Sequence, residues 1–387
     1  MGEAGRSSCQ RTSYNRHVRT PDASPLVHRL EAAYAGRHVF LTGHTGFKGS
    51  WLSLVLARLG AVTTGYALEP PTDPSNFVAS GVEAVVAEHR LGDIRDLEQL
   101  RAAIAAARPD VVLHLAASTI VREGFRDPLE TFSTNVMGTA TVLEAVRRVG
   151  RPCAVVVVSS DKCYANDERG RAFRETDPLG GHDPYSASKA AAEHVVEAYR
   201  HAFFETGTGS REGITVASAR AGNVIGGGDW TPDGLIADLQ RALDAGRPAV
   251  LRYPAAVRPW QHVLEPLAGY LLLGAHLMAA PRGPYGRAWN FGPRPADEAT
   301  VQAVTERYLA AWGTGSWILE PPPEAMPEAG VLRLSSAAST RLLGWRPRWH
   351  LAEAVARTAA WYRRYSADPT TARAACEADI EAYLRPA

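Results

Sequence analysis

Apolar runs alternate with stretches of helical periodicity from Arg37 onward. The runs are short and rich in valine, which is typical of strands buried on both faces. Between them, apolar residues recur at the spacing of one helix face. This alternation predicts an α/β fold with a doubly wound parallel sheet of the Rossmann type. The predicted strands are His38–Thr42, Val62–Ala67, Val111–Ala116, Ala154–Ser159 and Ile214–Ala219, and the predicted helices are Ser50–Leu59, Leu97–Ala107, Pro128–Val149 and Tyr185–His201.

The alternation weakens after Gly226, where proline, glycine and tryptophan become frequent. Helical stretches lie among loops there, which indicates a smaller, mixed C-terminal domain folded against the first. These helices are predicted at Gly234–Ala245, Thr300–Trp312 and Leu351–Tyr365. We predict a polar N-terminal extension outside the core over residues 1–35, a dinucleotide-binding domain over 36–225 with a later contribution near 256–293, and a substrate-binding domain over 226–255 and 294–387.

Composition and charge exclude several classes of function. The chain has 387 residues, of which 45% are hydrophobic and 21% are charged, and its net charge of +1 favours neither nucleic acid nor an anionic membrane as a partner. No apolar run reaches membrane-spanning length. The four cysteines are scattered without CxxC spacing, which predicts no metal site and a reducing, cytoplasmic location.

Lysine is rare in this chain. Of the 42 lysine and arginine residues, only Lys48, Lys162 and Lys189 are lysines. Arginine can replace lysine where a surface charge suffices, but not where the group must lose a proton or fit as a compact ammonium. We therefore expect chemistry to place these three residues. The alternative is that they are accidental survivors of a coding bias towards arginine.

A glycine-rich turn with GxxGxxG spacing joins the first predicted strand to the first predicted helix. Such a turn lets backbone N–H groups at the helix start approach a pyrophosphate closely. It therefore predicts a nicotinamide dinucleotide site; the alternative is a purely structural turn. The residues expected at the cofactor are Gly43, Thr45, Gly46, Phe47, Lys48, Gly49, Asp93, Ile94, Leu115, Ala116, Ala117, Tyr185 and Lys189.

The choice between NAD and NADP stays open from the residues alone. Glu69 is the nearest acid after the second predicted strand, where a carboxylate would hold the ribose 2′-hydroxyl of NAD. Lys48 could instead neutralise the 2′-phosphate of NADP.

A second cluster of polar residues follows the valine-rich strand. Ser160, Asp161 and Lys162 end that strand, and Tyr185 and Lys189 lie one turn apart at the start of a predicted helix. A nearby ammonium lowers the pKa of a tyrosine, so Tyr185 is a candidate base for a substrate hydroxyl, with Ser160 bonded to the same oxygen. The alternative is a surface Tyr–Lys pair.

Together these residues resemble the extended short-chain dehydrogenase/reductases that act on nucleotide sugars. A narrower resemblance is to the CDP-glucose 4,6-dehydratases, and it covers nearly the whole core. The segments that carry it are Thr42–Trp51, Gly65–Thr72, Ser160–Tyr164, Arg220–Trp230, Ala256–Pro266 and Trp289–Pro293.

The resemblance implies a reaction in three steps. NAD oxidises C4 of the glucose, water is eliminated across C5–C6, and the hydride returns to C6. Related dehydratases carry Asp-Glu where this chain has Asp161-Lys162. The resemblance therefore makes Asp161 the candidate acid for the leaving C6 hydroxyl and Lys162 the candidate base or shuttle for the C5 proton. An epimerase, the alternative, needs no acid at C6.

The resemblance also implies substrate contacts and a homodimer built from the two long predicted helices. The implied substrate-binding residues are Arg122, Asn223, Arg258 and Gln261. The chain departs from the family pattern near the sugar and the nucleotide. Ser118-Thr119 stand where Gln-Pro is usual, and Gly234 and Ala237 replace an arginine and a proline. The nucleotide base therefore stays open.

Overall fold

A seven-stranded parallel sheet organises the protein. The computed structural model describes residues 25–205, 213–320 and 329–386. The sheet has the order β11-β6-β5-β4-β1-β2-β3, in which the order reverses between β1 and β4. Ligands of such sheets bind outside the carboxyl ends of the strands at that reversal. Its strands are β1 (His38–Thr42), β2 (Val62–Ala67), β3 (Glu88–Leu91), β4 (Val111–His114), β5 (Cys153–Val158), β6 (Ile214–Ala221) and β11 (Ala288–Phe291).

Helices cover both faces of the sheet, which confirms the doubly wound fold. Alternate side chains of β1 enter different cores, with Val39 and Leu41 in one and Phe40 in the other. The helices are α1 (Leu26–Tyr34), α2 (Phe47–Arg58), α3 (Asn76–Ala79), α4 (Leu97–Ala107), α5 (Val121–Arg126), α6 (Pro128–Phe132), α7 (Gly138–Val149), α8 (Pro184–Tyr199), α9 (Leu235–Asp244), α10 (Leu264–Ala279), α11 (Val301–Trp312), α12 (Leu351–Ala367) and α13 (Ala372–Leu384).

Three paired strand segments and several helices lie beyond the main sheet. There α9 packs against β8 and α11, and α12 packs against α11 and α13. The short strands are β7 (Val224–Ile225), β8 (Ala249–Leu251), β9 (Val257–Arg258), β10 (Gln261–His262), β12 (Ala299–Thr300) and β13 (Trp317–Leu319). Across the described ranges, no helix combines the length and the apolar character that a membrane crossing requires.

The structure differs from the sequence prediction at the N-terminus. Residues 1–24 of the predicted extension lie outside the described residues. Its last part, α1, belongs to the core, because Leu30 and Tyr34 are fully buried and the Tyr34 hydroxyl donates to the Leu271 carbonyl at 2.9 Å. Helix α1 has only nine residues, and its few buried apolar side chains do not produce a recognisable helical pattern among the polar residues that precede it.

Two elements of the fold carry no periodic signal and were not predicted. Strand β3 lies at the sheet edge with half-buried polar side chains, so it lacks an apolar run. Helix α10 is apolar on nearly every side because the core surrounds it, so it shows no amphipathic stripe. The predicted helix Pro128–Val149 contains a π-helical turn, Ser133–Met137, between α6 and α7.

Candidate active site

The glycine turn has the geometry that a bound pyrophosphate requires. Gly43 has φ +77°, a conformation that suits glycine, and a Cβ there would lie 2.7 Å from the Ala116 nitrogen. A Cβ on Gly49 would lie 2.0 Å from the Gly43 carbonyl oxygen. Neither position has room for a side chain, so the turn closes onto β4 and leads directly into α2. This cradle fits the dinucleotide that the sequence predicted.

A large cleft runs along the carboxyl ends of the strands. Its volume is about 1260 Å³, above the range of roughly 300–1,000 Å³ that is common for sites holding one small molecule. It therefore has room for a dinucleotide together with a second ligand. All the residues expected at the cofactor line it, namely Gly43, Thr45, Gly46, Phe47, Lys48, Gly49, Asp93, Ile94, Leu115, Ala116, Ala117, Tyr185 and Lys189.

Lys48 lies on the catalytic side of the cleft. Burial lowers the pKa of Lys48 to about 8, and the charges of Asp161 and Asp229 oppose that effect. Lys48 also lowers the pKa of Lys189, so both ammonium groups belong to one cluster. A side chain in that cluster is not placed to hold a ribose 2′-phosphate beside Glu69. The residue-level argument for NADP therefore loses its support.

Ser160 stands where β5 ends and a short 3-10 helix begins. The Ser160 Oγ donates to Asp161 Oδ1 at 3.1 Å and accepts the Lys162 backbone N–H at 3.2 Å. The serine thus caps the turn that presents Asp161 and Lys162. All three residues line the cleft, and Asp161 is buried while Lys162 is half-buried.

Tyr185 and Lys189 lie on the face of α8 that borders the cleft, and both are buried. Asp183 caps this helix, because its carboxylate accepts the Ser186 N–H at 2.9 Å. Gly124 of α5 packs against the helix start, where a Cβ would lie 3.3 Å from the Tyr185 nitrogen. The structure thus places Ser160, Tyr185 and Lys189 in the lining of the same cleft.

The environment of the tyrosine differs in one respect from the sequence argument. Burial raises the pKa of the Tyr185 phenol, and a hydrogen bond with Ser160 lowers it. Burial lowers the pKa of Lys189 to about 8, whereas Glu193, one turn further along α8, raises it. Burial thus disfavours the charged form of Lys189, which would stabilise a Tyr185 phenolate, whereas the Glu193 carboxylate favours that charged form.

Asp161 has the environment of a carboxyl group that can carry a proton. Burial raises the pKa of Asp161, and the charges of Lys162, Arg258 and Lys48 lower it in part. Its Oδ2 atom is buried without a hydrogen-bond partner among the described residues, and a Cβ on Gly222 would lie 3.1 Å from it. Burial favours the neutral form of a carboxyl group, as a general acid requires.

Three of the four implied substrate residues line the cleft, namely Arg122, Asn223 and Arg258. The fourth, Gln261, does not. This buried residue belongs to β10, and its side-chain amide donates to the Phe291 carbonyl of β11 at 2.8 Å. Strand alternation turns this side chain away from the cleft, so its role here is to join two strands.

Sequence reasoning missed several polar residues of the cleft wall, among them Asp229, Asp233, Arg252 and Glu168. Asp229 follows three consecutive glycines, a pattern that pointed to a tight turn beside the site. Asp233 and Arg252 form an ion pair at 3.1 Å, and the Glu168 carboxylate accepts the Gly330 N–H at 3.0 Å. These contacts join segments that are far apart in the chain, so no local sequence pattern predicts them.

Known proteins resemble this chain over most of its length. A family model described as GDP-mannose 4,6 dehydratase matches residues 40–210. The CDP-glucose 4,6-dehydratase of Salmonella typhimurium is 46% identical over 334 residues, which cover 86% of this chain and 92% of that protein. The dTDP-glucose 4,6-dehydratase of Streptomyces griseus is 30% identical over 339 residues, which cover 85% and 94%.

Solved structures show the same fold. The dTDP-glucose 4,6-dehydratase DesIV of Streptomyces venezuelae, solved with NAD bound, superimposes with a TM-score of 0.70 at 27% identity. The match covers 86% of this chain and 99% of that one. The likeness therefore extends well beyond the central sheet.

Proposed function

Because the chain belongs to the nucleotide-sugar 4,6-dehydratase family, we propose that it converts CDP-glucose to CDP-4-keto-6-deoxyglucose with NAD as its cofactor. The observation that carries the proposal is the cluster at the end of β5, where Asp161 and Lys162 face the same cleft as Tyr185 and Lys189. CDP-glucose is favoured because the Salmonella relative named for it is the more similar of the two curated dehydratases described above.

In the first step, Tyr185 removes the proton of the C4 hydroxyl, which Ser160 holds by a hydrogen bond. Lys189, one turn away on α8, stabilises the phenolate through its ammonium group. NAD, when bound, would supply the hydride acceptor for C4 and the hydride donor for C6. The residues that would hold it are those of the glycine turn and of the ends of β1 and β4.

In the second step, water leaves across C5 and C6. The C4 ketone acidifies the C5 proton, which the neutral amine of Lys162 takes. Asp161, in its protonated form, donates to the departing C6 hydroxyl. Arginine could not serve at position 162, because its guanidinium does not release a proton at physiological pH. Asn223 and Arg258, beside Asp161, bind the substrate phosphates.

The experiment is incubation of the purified protein with NAD and, separately, CDP-glucose, dTDP-glucose, UDP-glucose and GDP-mannose. CDP-glucose should yield a 4-keto-6-deoxy product with its ultraviolet band in alkali. An unchanged carbon skeleton with an inverted C4 would instead identify an epimerase. No product from any sugar nucleotide would reject the proposed function.

The proposal includes a homodimer in the cytoplasm. Apolar side chains are exposed on α6 and on the turns after α6 and α8, with Leu129 at 80%, Met137 at 59% and Phe132 and Phe203 at 37% each. A second copy of the same helices would cover them. Light scattering should give the mass of a dimer, and Leu129→Glu should give monomers; a monomeric wild type contradicts this assembly.

Cys153, Cys163 and Cys376 are buried free thiols, which suits a reducing compartment.

A further inference from the structure

Three charged side chains in the cleft wall have no part in the chemistry described above. Arg122 lies in the first turn of α5, Asp233 precedes α9, and Arg252 follows β8. A guanidinium nitrogen of Arg122 and one of Arg252 each lie 3.1 Å from the same Oδ1 atom of Asp233. Within the described ranges, the other oxygen, Oδ2, has no hydrogen-bond partner. One carboxylate oxygen is thus held by two cations, and one remains for a ligand.

The backbone at Asp233 is unusual. Its φ is +62°, in the left-handed region that residues other than glycine seldom adopt. Such a conformation is unfavourable and persists where the surrounding structure imposes it, often at functional sites. The side chain is 23% exposed and lines the cleft. The fold therefore places this carboxylate at a fixed position on the wall, where a ligand can reach it.

The three charges lie along the path that a nucleotide sugar must follow. The sugar C4 has to reach Tyr185, and the phosphates have Asn223 and Arg258 beside Asp161. The nucleoside must then extend away from the sheet, towards the wall that α9 and β8 build. That wall offers apolar side chains at β8 for the flat face of a base and the Asp233 carboxylate for its edge.

We propose that Asp233, with Arg122 and Arg252 on either side, recognises the Watson–Crick edge of cytosine. This inference rests on the proposed function and specifies its base. Cytosine presents an exocyclic amino donor beside two acceptors, N3 and O2. Asp233 Oδ2 accepts from the amino group, as carboxylates do from cytosine elsewhere, and the guanidinium groups donate to the acceptors. Uracil and thymine place a carbonyl oxygen against the carboxylate instead.

The test is the ratio of kcat/KM for CDP-glucose to that for UDP-glucose, in the wild type and in Asp233→Asn. The wild type should prefer CDP-glucose. The substitution puts an amide donor where only an acceptor stood, so the ratio should fall by about 50-fold or more, a size typical of one well-formed base contact. Inhibition constants of CDP and UDP should show the same shift without any chemistry.

Asp177→Asn is the matched control, because Asp177 is an ion-paired aspartate with similar exposure, 18%, and does not line the cleft. It should leave the ratio unchanged. If Asp233→Asn fails to fold, Arg252→Gln provides the second variant, with a fall of about 10-fold expected. An equal loss on both sugars, or an unchanged ratio, overturns the base recognition alone. A wild type without activity on CDP-glucose rejects the proposed function itself.

Discussion

The sheet side of the cleft, at the ends of the parallel strands, differs in construction from its far wall, which we define by Asn166, Glu168, Asp233, Arg252 and Gly330. On the sheet side, the groups that act together are neighbours in the chain, as Ser160, Asp161 and Lys162 are, or lie one helical turn apart, as Tyr185 and Lys189 are. The parallel sheet then aligns the strand ends that carry them. Short sequence patterns are enough to define such a site.

The far wall depends on contacts between segments that are far apart in the chain. Asn166 donates to the Val331 carbonyl across 165 residues, and the Glu168 carboxylate accepts the N–H groups of Gly330 and Val331. Only the folded chain brings these residues together. The comparison teaches that the chemistry is fixed on the sheet side, whereas the far wall can change its ligand without disturbing that chemistry.

The largest effect is expected on the sheet side, from Tyr185→Phe. Removal of the phenol removes the base for the C4 hydroxyl, so kcat should fall by about 10⁴-fold, the upper range for acid–base catalysis. Binding of NAD and of CDP should persist, because the glycine turn would still hold the cofactor and Asn223 and Arg258 the phosphates. Turnover assays together with titration of both ligands check this. A variant that keeps even a tenth of the wild-type kcat contradicts the role.

Lys162→Ala should separate oxidation from elimination. Without the amine the C5 proton stays, so kcat should fall by about 10³-fold while C4 oxidation continues. Mixing enzyme, NAD and CDP-glucose should then build up absorbance of reduced cofactor near 340 nm without the alkali band of the product. Near-normal turnover would reject Lys162 as the base. Lys162→Arg is the matched control: it keeps the positive charge and should fail equally.

These residues also show how far the sequence could lead. The i, i+4 spacing was sufficient for Tyr185 and Lys189, since a helix places them on one face whatever surrounds it. The prediction for Gln261 was wrong. This residue directly follows Trp260, which lines the cleft as Arg258 does, but strand alternation turns the Gln261 side chain towards Phe291 and away from the cleft. Asp233 and Arg252 had no local signal, since their pairing depends on the packing of α9 against β8.

Glu265, at the start of α10, is fully buried and does not line the cleft. Its carboxylate accepts the backbone N–H groups of Arg348 and Trp349 at 2.9 and 2.7 Å and the Tyr383 hydroxyl at 2.7 Å. Burial raises its pKa from 4.5 to about 7. The folded protein therefore binds this proton more tightly than the unfolded chain does, and stability should fall as pH rises from about 4.5 to about 7.

The size of this effect is at most about 3 kcal/mol, and it should disappear in Glu265→Gln. Denaturant unfolding at pH values from about 5 to about 8 measures it in both proteins. The variant should have a flatter pH profile than the wild type, because the amide does not titrate. Parallel profiles would show that other groups set the pH dependence and that Glu265 is ionised throughout.

The smallest effect is expected at the far end of the cofactor site, where Asp93 was predicted to bond the adenine amino group. Arg95 already holds its carboxylate, with Nε and Nη2 donating to Oδ2 at 2.9 and 2.6 Å, so the carboxylate is fixed but keeps acceptor capacity. Asp93→Ala should weaken NAD binding by about 10-fold, equivalent to about 1.4 kcal/mol, and leave kcat at saturating NAD unchanged.

The sharper measurement uses the NAD analogue in which hypoxanthine replaces adenine and the amino group is lost. The wild type should bind the analogue about 10-fold more weakly than NAD, and Asp93→Ala should bind the two alike. If the variant still discriminates, the adenine is recognised elsewhere, and this end of the cofactor site, like the far wall, depends on contacts that a local pattern does not reveal.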